Sequence, residues 1–240
     1  LTGMEKHSDE YREDLLGNSE AFIGAMKTHM RALHMSALQT AMNELSNHDH
    51  SRFLTRTNHR VGRISYAGAE AASEGVNPAV MREGVAIQMT WPGAPTVYYG
   101  DEAGLCGFTD PDNRRTYPWG REDYQMIDFH RVMIRIHKQY EVLKTGSLAF
   151  LWNDYQGLAY ARFSRKEQMI VIVNNMDHAR EVEVQLWQAG ISRLEDAKME
   201  RVVCTSAEGF TEAPEVYTAA AGILRMQMPA FGCVVLYHKN

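Results

Sequence analysis

Asn47-His48-Asp49-His50-Ser51-Arg52, read together with the run PGAPTVYYGDEAG at residues 92–104, decides the fold class of this 240-residue chain. The first stretch follows AMNELS (41–46), short enough for a brief strand whose C-terminal end carries the polar cluster. The second contains Pro95 to Tyr99, a β-rich run that ends in Gly100-Asp101-Glu102. Between them Asn77-Pro78 opens a helix with proline in its first turn, running to about Met89 on Val80, Met81, Val85, Ala86 and Met89. Strand, helix, strand, with polar residues at both strand ends, is the layout of a βαβ unit. In parallel sheets and α/β barrels the C-terminal strand ends carry the site.

Upstream, Phe22, Ile23, Met26, Met30, Leu33 and Ala37 recur at three- and four-residue steps, which predicts an amphipathic helix from Asn18 to about Leu38 with Ser19 as N-cap. Downstream, a loop rich in Asp, Pro, Asn and Arg leads to a helix from Glu122 to about Tyr140 on Met126, Ile127, Phe129, Val132, Met133, Ile136 and Tyr140. After Gly146 the texture changes to short apolar runs divided by Gly, Asn, Asp and Pro turns, which predicts an antiparallel β-sandwich. The expected organisation is therefore an α/β unit over 1–145 and an all-β unit over 146–240.

Hydrophobic residues at 45% and charged residues at 23% are ordinary for globular proteins, so each unit can bury a core. A net charge of −5 with scattered basic residues excludes nucleic acid and anionic membrane as natural partners. The longest apolar runs, such as Met169 to Val173, are strand-sized and too short for a membrane span. Cys106, Cys204 and Cys233 are odd in number and lack metal-ligand spacing, so neither a disulfide framework nor a zinc site is expected. A reducing, cytoplasmic setting follows as the expectation. Leu1 opens the sequence without a Met or a leader, so further sequence is expected upstream.

Asn47-His48-Asp49 followed by Arg52-Phe53-Leu54 resembles the fourth conserved sequence region of the α-amylase family, glycoside hydrolase family 13, which sits at the end of the seventh barrel strand. PGAPTVYYGDEAGLCG (92–107) resembles that family's eighth-strand segment, and DPDNRRTYPW (110–119) its following loop in neopullulanase-like and oligo-1,6-glucosidase-like members. Three motifs in collinear order carry the resemblance from Ala37 onward. It implies the C-terminal part of a (β/α)8 TIM barrel, strands 7 and 8 with their helices, followed by the β-sandwich called domain C. It also implies action on α-1,4 or α-1,6 bonds of maltooligosaccharides, with no cofactor.

Retaining cleavage of a glycosidic bond uses two carboxyl groups about 5 to 5.5 Å apart, one as nucleophile and one as acid then base. In this family those groups follow earlier strands, and Glu5, Asp9, Glu10, Glu13, Asp14 and Glu20 do not replace them. None follows a buried β-type run, and a solvated surface explains them better. By resemblance Asp49 is the third carboxylate, a transition-state stabiliser bonding hydroxyls of the distorted sugar, while His48, Asn47, Arg52, Asp110, Asp112 and Arg114 are expected substrate contacts. The plain alternatives are a turn with a self-capping Asx residue for His48 and Asp49 and surface or structural ion pairs for Arg114 and Arg115, while the planar fork of Arg52 could orient a carboxylate. A metal at His48-Asp49-His50 is not expected, since adjacent strand-end residues point to opposite faces. Trp91, Tyr98, Tyr99 and Trp119 are candidates for sugar stacking or core. Glu44 needs a partner that the sequence does not name.

The resemblance thus implies one wall of a site, with a missing N-terminal barrel half or self-association covering the open edge. A non-catalytic carbohydrate-binding module and a glucanotransferase remain the competing readings.

Overall fold

A computed structural model describes all residues 1–240. The helical portion begins with α1 (Ser19–Met30) and α2 (Met35–Thr40), then β1 (Met42–Asn43), α3 (Phe53–Arg56), α4 (Ile64–Ala67), α5 (Pro78–Thr90), β2 (Ala94–Pro95), α6 (Tyr124–Gln139) and α7 (Glu141–Thr145). At Ser147 the chain turns to strand: β3 (Ser147–Asp154), β4 (Gly157–Phe163), β5 (Glu167–Asn174), β6 (Arg180–Gln185), β7 (Ala197–Thr205), β8 (Phe210–Thr211), β9 (Val216–Ala219), β10 (Ile223–Met228) and β11 (Gly232–Lys239).

The βαβ unit predicted from the motifs is present, with shorter strands. Met42 pairs with Ala94 and Asn43 with Pro95 in parallel, and the Thr96 N–H adds one bond to the Asn43 carbonyl at 2.9 Å. The helix between them is capped by Asn77, whose side chain accepts from Ala79 N–H and Val80 N–H, and Pro78 occupies the first turn where no N–H is needed. Gln88 ties the helix to both strands by donating to Asn43 O and Thr96 O, each at 2.9 Å. Beyond Thr96 the expected strand is absent because Tyr98 and Tyr99 turn their rings onto Arg52 instead.

The predicted helix over 18–38 is two helices. Asn18, rather than Ser19, is the N-cap, accepting from Ala21 N–H at 2.9 Å, while the Ser19 hydroxyl donates to Asp154 O. Leu33 and Ala37, expected to extend the apolar stripe, are exposed, so no packing sustains the helix past Met30, and it resumes only to bury Leu38.

Seven antiparallel strands form one sheet in the order β3-β4-β5-β11-β7-β8, with β9 also on β7; β6 and β10 form a second sheet. The second sheet alternates cleanly: Val182 and Val184 point inward, Glu181 and Glu183 outward. The larger sheet is apolar on both faces. Met169, Val171, Val173, Cys233 and Val235 join the cluster that contains Met81, Val85, Phe129 and Met133 of α5 and α6. Their neighbours Ile170, Ile172, Val234 and Leu236 pack on Val182, Val184, Leu224 and Met226 of the small sheet. This explains why Met169 to Val173 reads as an unbroken apolar run.

Glu83 of α5 is an exception to this apolar seam. It is fully buried and neither carboxylate oxygen has a hydrogen-bond partner. Burial pushes its pKa well above the usual carboxylate range, opposed only in part by Arg82. The folded chain therefore holds this proton to higher pH than the unfolded chain, and stability present at acid pH is lost as pH rises toward the folded pKa. We expect Glu83→Gln to lessen the fall in urea stability between about pH 4.5 and pH 8, with a gain of at least ~1 kcal/mol at the upper end. Parallel pH profiles for the two proteins would contradict this.

Candidate active site

The parallel pairing of β1 and β2 places the loops that follow them, 44–52 and 97–116, side by side, and a set of bonds knits them together. Arg52 N–H donates to Gly107 O at 2.9 Å, and Gly107 N–H to the Thr55 hydroxyl at 2.8 Å. The Asn113 side-chain amide donates to His50 O at 2.7 Å, and the Thr109 hydroxyl donates to Asp49 O. His7 closes the set from the N-terminal segment, its Nδ1 lying 2.8 Å from the Thr109 hydroxyl and its ring edge-on to His50. Burial lowers the His50 pKa, aided by Lys6 and Arg56.

Four of the expected residues converge on the exposed surface of this loop pair. Asp49 Oδ1 lies 3.5 Å from His48 Nε2 and 3.9 Å from Arg114 Nη2; Arg114 Nε is 3.0 Å from Asp110 Oδ1 and 3.1 Å from His48 O. The side chains of His48 and Asp49 are 69% and 62% exposed, so these pairs are weak. Asn47 has a turn-forming role: its Oδ1 accepts from Asp49 N–H and His50 N–H, and its Nδ2 donates to Glu44 at 2.6 Å. Glu44 is exposed and finds its partner there.

Two expected sugar contacts are corrected. Arg52 is fully buried, donating to Asp101 Oδ1, Tyr99 O and Asn113 O, with the rings of Tyr98 and Tyr99 over its guanidinium. Asp112 is also buried, accepting from Phe108 N–H at 2.8 Å and from both Arg115 Nε and Nη2. Both side chains are enclosed by their own chain and have no surface to offer a ligand. They act as scaffold: a planar fork and a buried carboxylate suit internal pairing as well as ligand binding.

The sequence reading missed Ser46, Asp101, Thr109, Asn113 and His7. Asp101 is buried, and burial pushes its pKa up to about 6, with the Ser46 hydroxyl and Arg52 holding it down in part. Among the aromatics, Trp91 is core against Phe22, Phe150 and Tyr160, whereas Trp119 is 79% exposed beside Tyr117. Of the acids of the N-terminal segment, Asp9 pairs with Arg63 and Asp14 with Arg12 on the surface. No group of three or more His, Cys, Asp or Glu is placed to share a metal ion, and no helix is long and apolar enough to cross a membrane.

The fold matches that of solved α-glucan enzymes, in which a TIM barrel is joined to a β domain. The debranching enzyme of Nostoc punctiforme superposes with a TM-score of 0.66 over 90% of this chain and 39% of its own, at 23% identity. The model of the family described as "Alpha amylase, catalytic domain" matches residues 4–188, so the chain belongs to the α-amylase family. It is 36% identical over 158 residues to an amylopullulanase of Thermoanaerobacter thermohydrosulfuricus, covering 60% of this chain and 10% of that protein. It is also 32% identical over 158 residues to neopullulanase 2 of Thermoactinomyces vulgaris, covering 64% and 24% respectively. The chain thus spans between about a tenth and a quarter of these curated relatives.

Proposed function

We propose that this chain supplies one wall of the sugar site of a retaining α-glucan hydrolase acting on maltooligosaccharides. Residues 1–145 contribute strands 7 and 8 of the barrel with their helices, and residues 146–240 are domain C. The observation that carries the reading is the convergence of His48, Asp49, Asp110 and Arg114 at the C-terminal ends of two parallel strands. In this role Asp49 accepts hydrogen bonds from hydroxyls of the sugar at the scissile bond, and those bonds strengthen as the ring flattens toward the oxocarbenium-like transition state. His48 donates to the same sugar. Arg114, held by Asp110, donates to the adjoining one. The nucleophile and the acid/base come from earlier barrel strands of the whole enzyme.

Titration of maltotriose against this chain by calorimetry tests the assignment. Weak binding without hydrolysis is expected, lost in the Asp49→Ala/Arg114→Ala double variant. Undiminished binding by that variant would place the sugar elsewhere, and hydrolysis by the chain alone would refute the division of the site.

A further inference from the structure

We propose that His7 is a substrate-binding residue of this wall, whose Nε2 accepts a hydrogen bond from a hydroxyl of the glucosyl unit next to the one held by Asp49. The inference rests on the reading that Asp49 belongs to the sugar site. His7 stands at the tip of a closed loop, residues 4–11, in which Met4 bridges Tyr11 and Glu5 N–H donates to Glu10 O at 3.0 Å. Both carbonyls that flank it are tied to the chain that follows β1: Ser51 N–H donates to Lys6 O at 2.9 Å, and Gly62 N–H to Ser8 O at 3.0 Å. Its own N–H donates to Glu5 Oε2 at 2.7 Å. Ser8, fully buried, is in the left-handed region at φ 61°, which residues with a Cβ avoid. Such strain persists only where the surroundings enforce it, and here it belongs to the turn that presents His7.

The hydrogen bonds also fix the tautomer of the ring. Thr109 has one hydroxyl hydrogen, and it goes to Asp49 O, which can only accept. The proton in the 2.8 Å contact between Thr109 and His7 Nδ1 therefore belongs to Nδ1. In the neutral ring Nε2 is then left as a lone-pair acceptor. It has no partner in the chain and is not enclosed, so it is open to a ligand. One hydroxyl separates this ring from the Asp49 carbonyl, and the ring packs edge-on against His50 with 5.2 Å between centres. Thr109 bonds His7, and its neighbour Asp110 holds Arg114, so both side chains are placed beside Asp49 by adjoining residues of one loop. Sugar hydroxyls donate as well as accept, and an acceptor on a ring already held in place binds one with little ordering cost.

The test uses the full-length enzyme with maltotriose, by steady-state kinetics and by calorimetric titration. In His7→Asn the side-chain amide stands where Nδ1–H stood and keeps the bond to Thr109, while the acceptor at Nε2 is lost. KM is expected to rise about five- to tenfold, the worth of one hydrogen bond, with kcat within about twofold of wild type. A KM within about twofold of wild type would overturn the proposal, since a residue that only steadies Thr109 tolerates this change. A fall in kcat at unchanged KM would overturn it as well, because His7 would then act on Asp49 and not on the sugar. In an Asp49→Ala background calorimetry gives a readout independent of turnover. His7→Asn is expected to weaken maltotriose there by the same factor of about five to ten, because the two side chains hold different glucosyl units. An unchanged Kd in that background would count against the contact. If His7→Asn does not fold, His7→Ala is expected to show the same rise in KM, and a wild-type KM in it would equally refute the assignment. Full turnover by Asp49→Ala alone would instead sink the underlying site reading, so the two failures are separable.

Discussion

Asp49→Ala in the full-length enzyme is expected to lower kcat on maltotriose by about a thousandfold, ~4 kcal/mol of transition-state stabilisation, with a much smaller change in KM. The size follows from the location of the carboxylate. It is exposed on the site face, where its pairs with His48 and Arg114 are long and weak, so it contributes little in the resting protein. In the role proposed for it, Asp49 is an acceptor whose bonds to sugar hydroxyls matter most when the ring is distorted, and such interactions act on kcat rather than on ground-state binding. The backbone tie of the turn, from the Thr109 hydroxyl to Asp49 O, survives the substitution. Stability should therefore change by less than ~0.5 kcal/mol, which separates loss of chemistry from loss of fold. Turnover within tenfold of wild type would remove Asp49 from the site.

Arg162→Met is expected to be the most damaging single change to the fold. Arg162 is fully buried on β4 and donates to Thr90 O at 3.0 Å, Leu143 O at 2.8 Å and Gly146 O at 2.9 Å. Thr90 is the last residue of α5, and Leu143 and Gly146 lie at the end of α7, so one cation satisfies the C-terminal carbonyls of two helices at the negative ends of their dipoles. Burial lowers its pKa only to about 10, which leaves the charge in place at neutral pH. Methionine fills much of the volume but leaves three buried carbonyls without donors, for an expected loss of ~3–5 kcal/mol. A fall in Tm of about 10 °C, read by calorimetry, is the corresponding signal for a protein of this size. A shift within about 2 °C would show that water or other donors replace the guanidinium.

The helices and the change to strand after Gly146 were legible because they depend on short-range signals. Asn77-Pro78 is a cap followed by a residue that lacks an N–H, and the alternation in Arg180–Gln185 is a period-two pattern that only a half-buried strand satisfies. The placement of His48, Asp49, Asp110 and Arg114 side by side on the loops after β1 and β2 was legible through their motifs. Arg52 and Asp112 belong to the same motifs, yet they face inward. Nothing in a single sequence distinguishes an arginine that reaches out to a ligand from one that reaches back to a carboxylate 49 positions later. Asp101 and Asn113 escaped notice for the same reason, since their partners are distant in sequence and adjacent only after β1 and β2 pair. The break after Met30 was hidden because the apolar period continues through Leu33, and only the lack of a packing partner reveals that the stripe has no surface to cover.

The seven-stranded sheet, greasy on both sides, also bears on how such a chain can be rearranged in evolution. A sandwich whose outer layer is water-facing can be moved between genes as a cassette. Here the slab around Met169, Val171 and Val173 is roofed by α5 and α6, and a crossover at Gly146 would strip that roof away. Recombination that keeps this protein intact has to carry the helices and the strands as one heritable block.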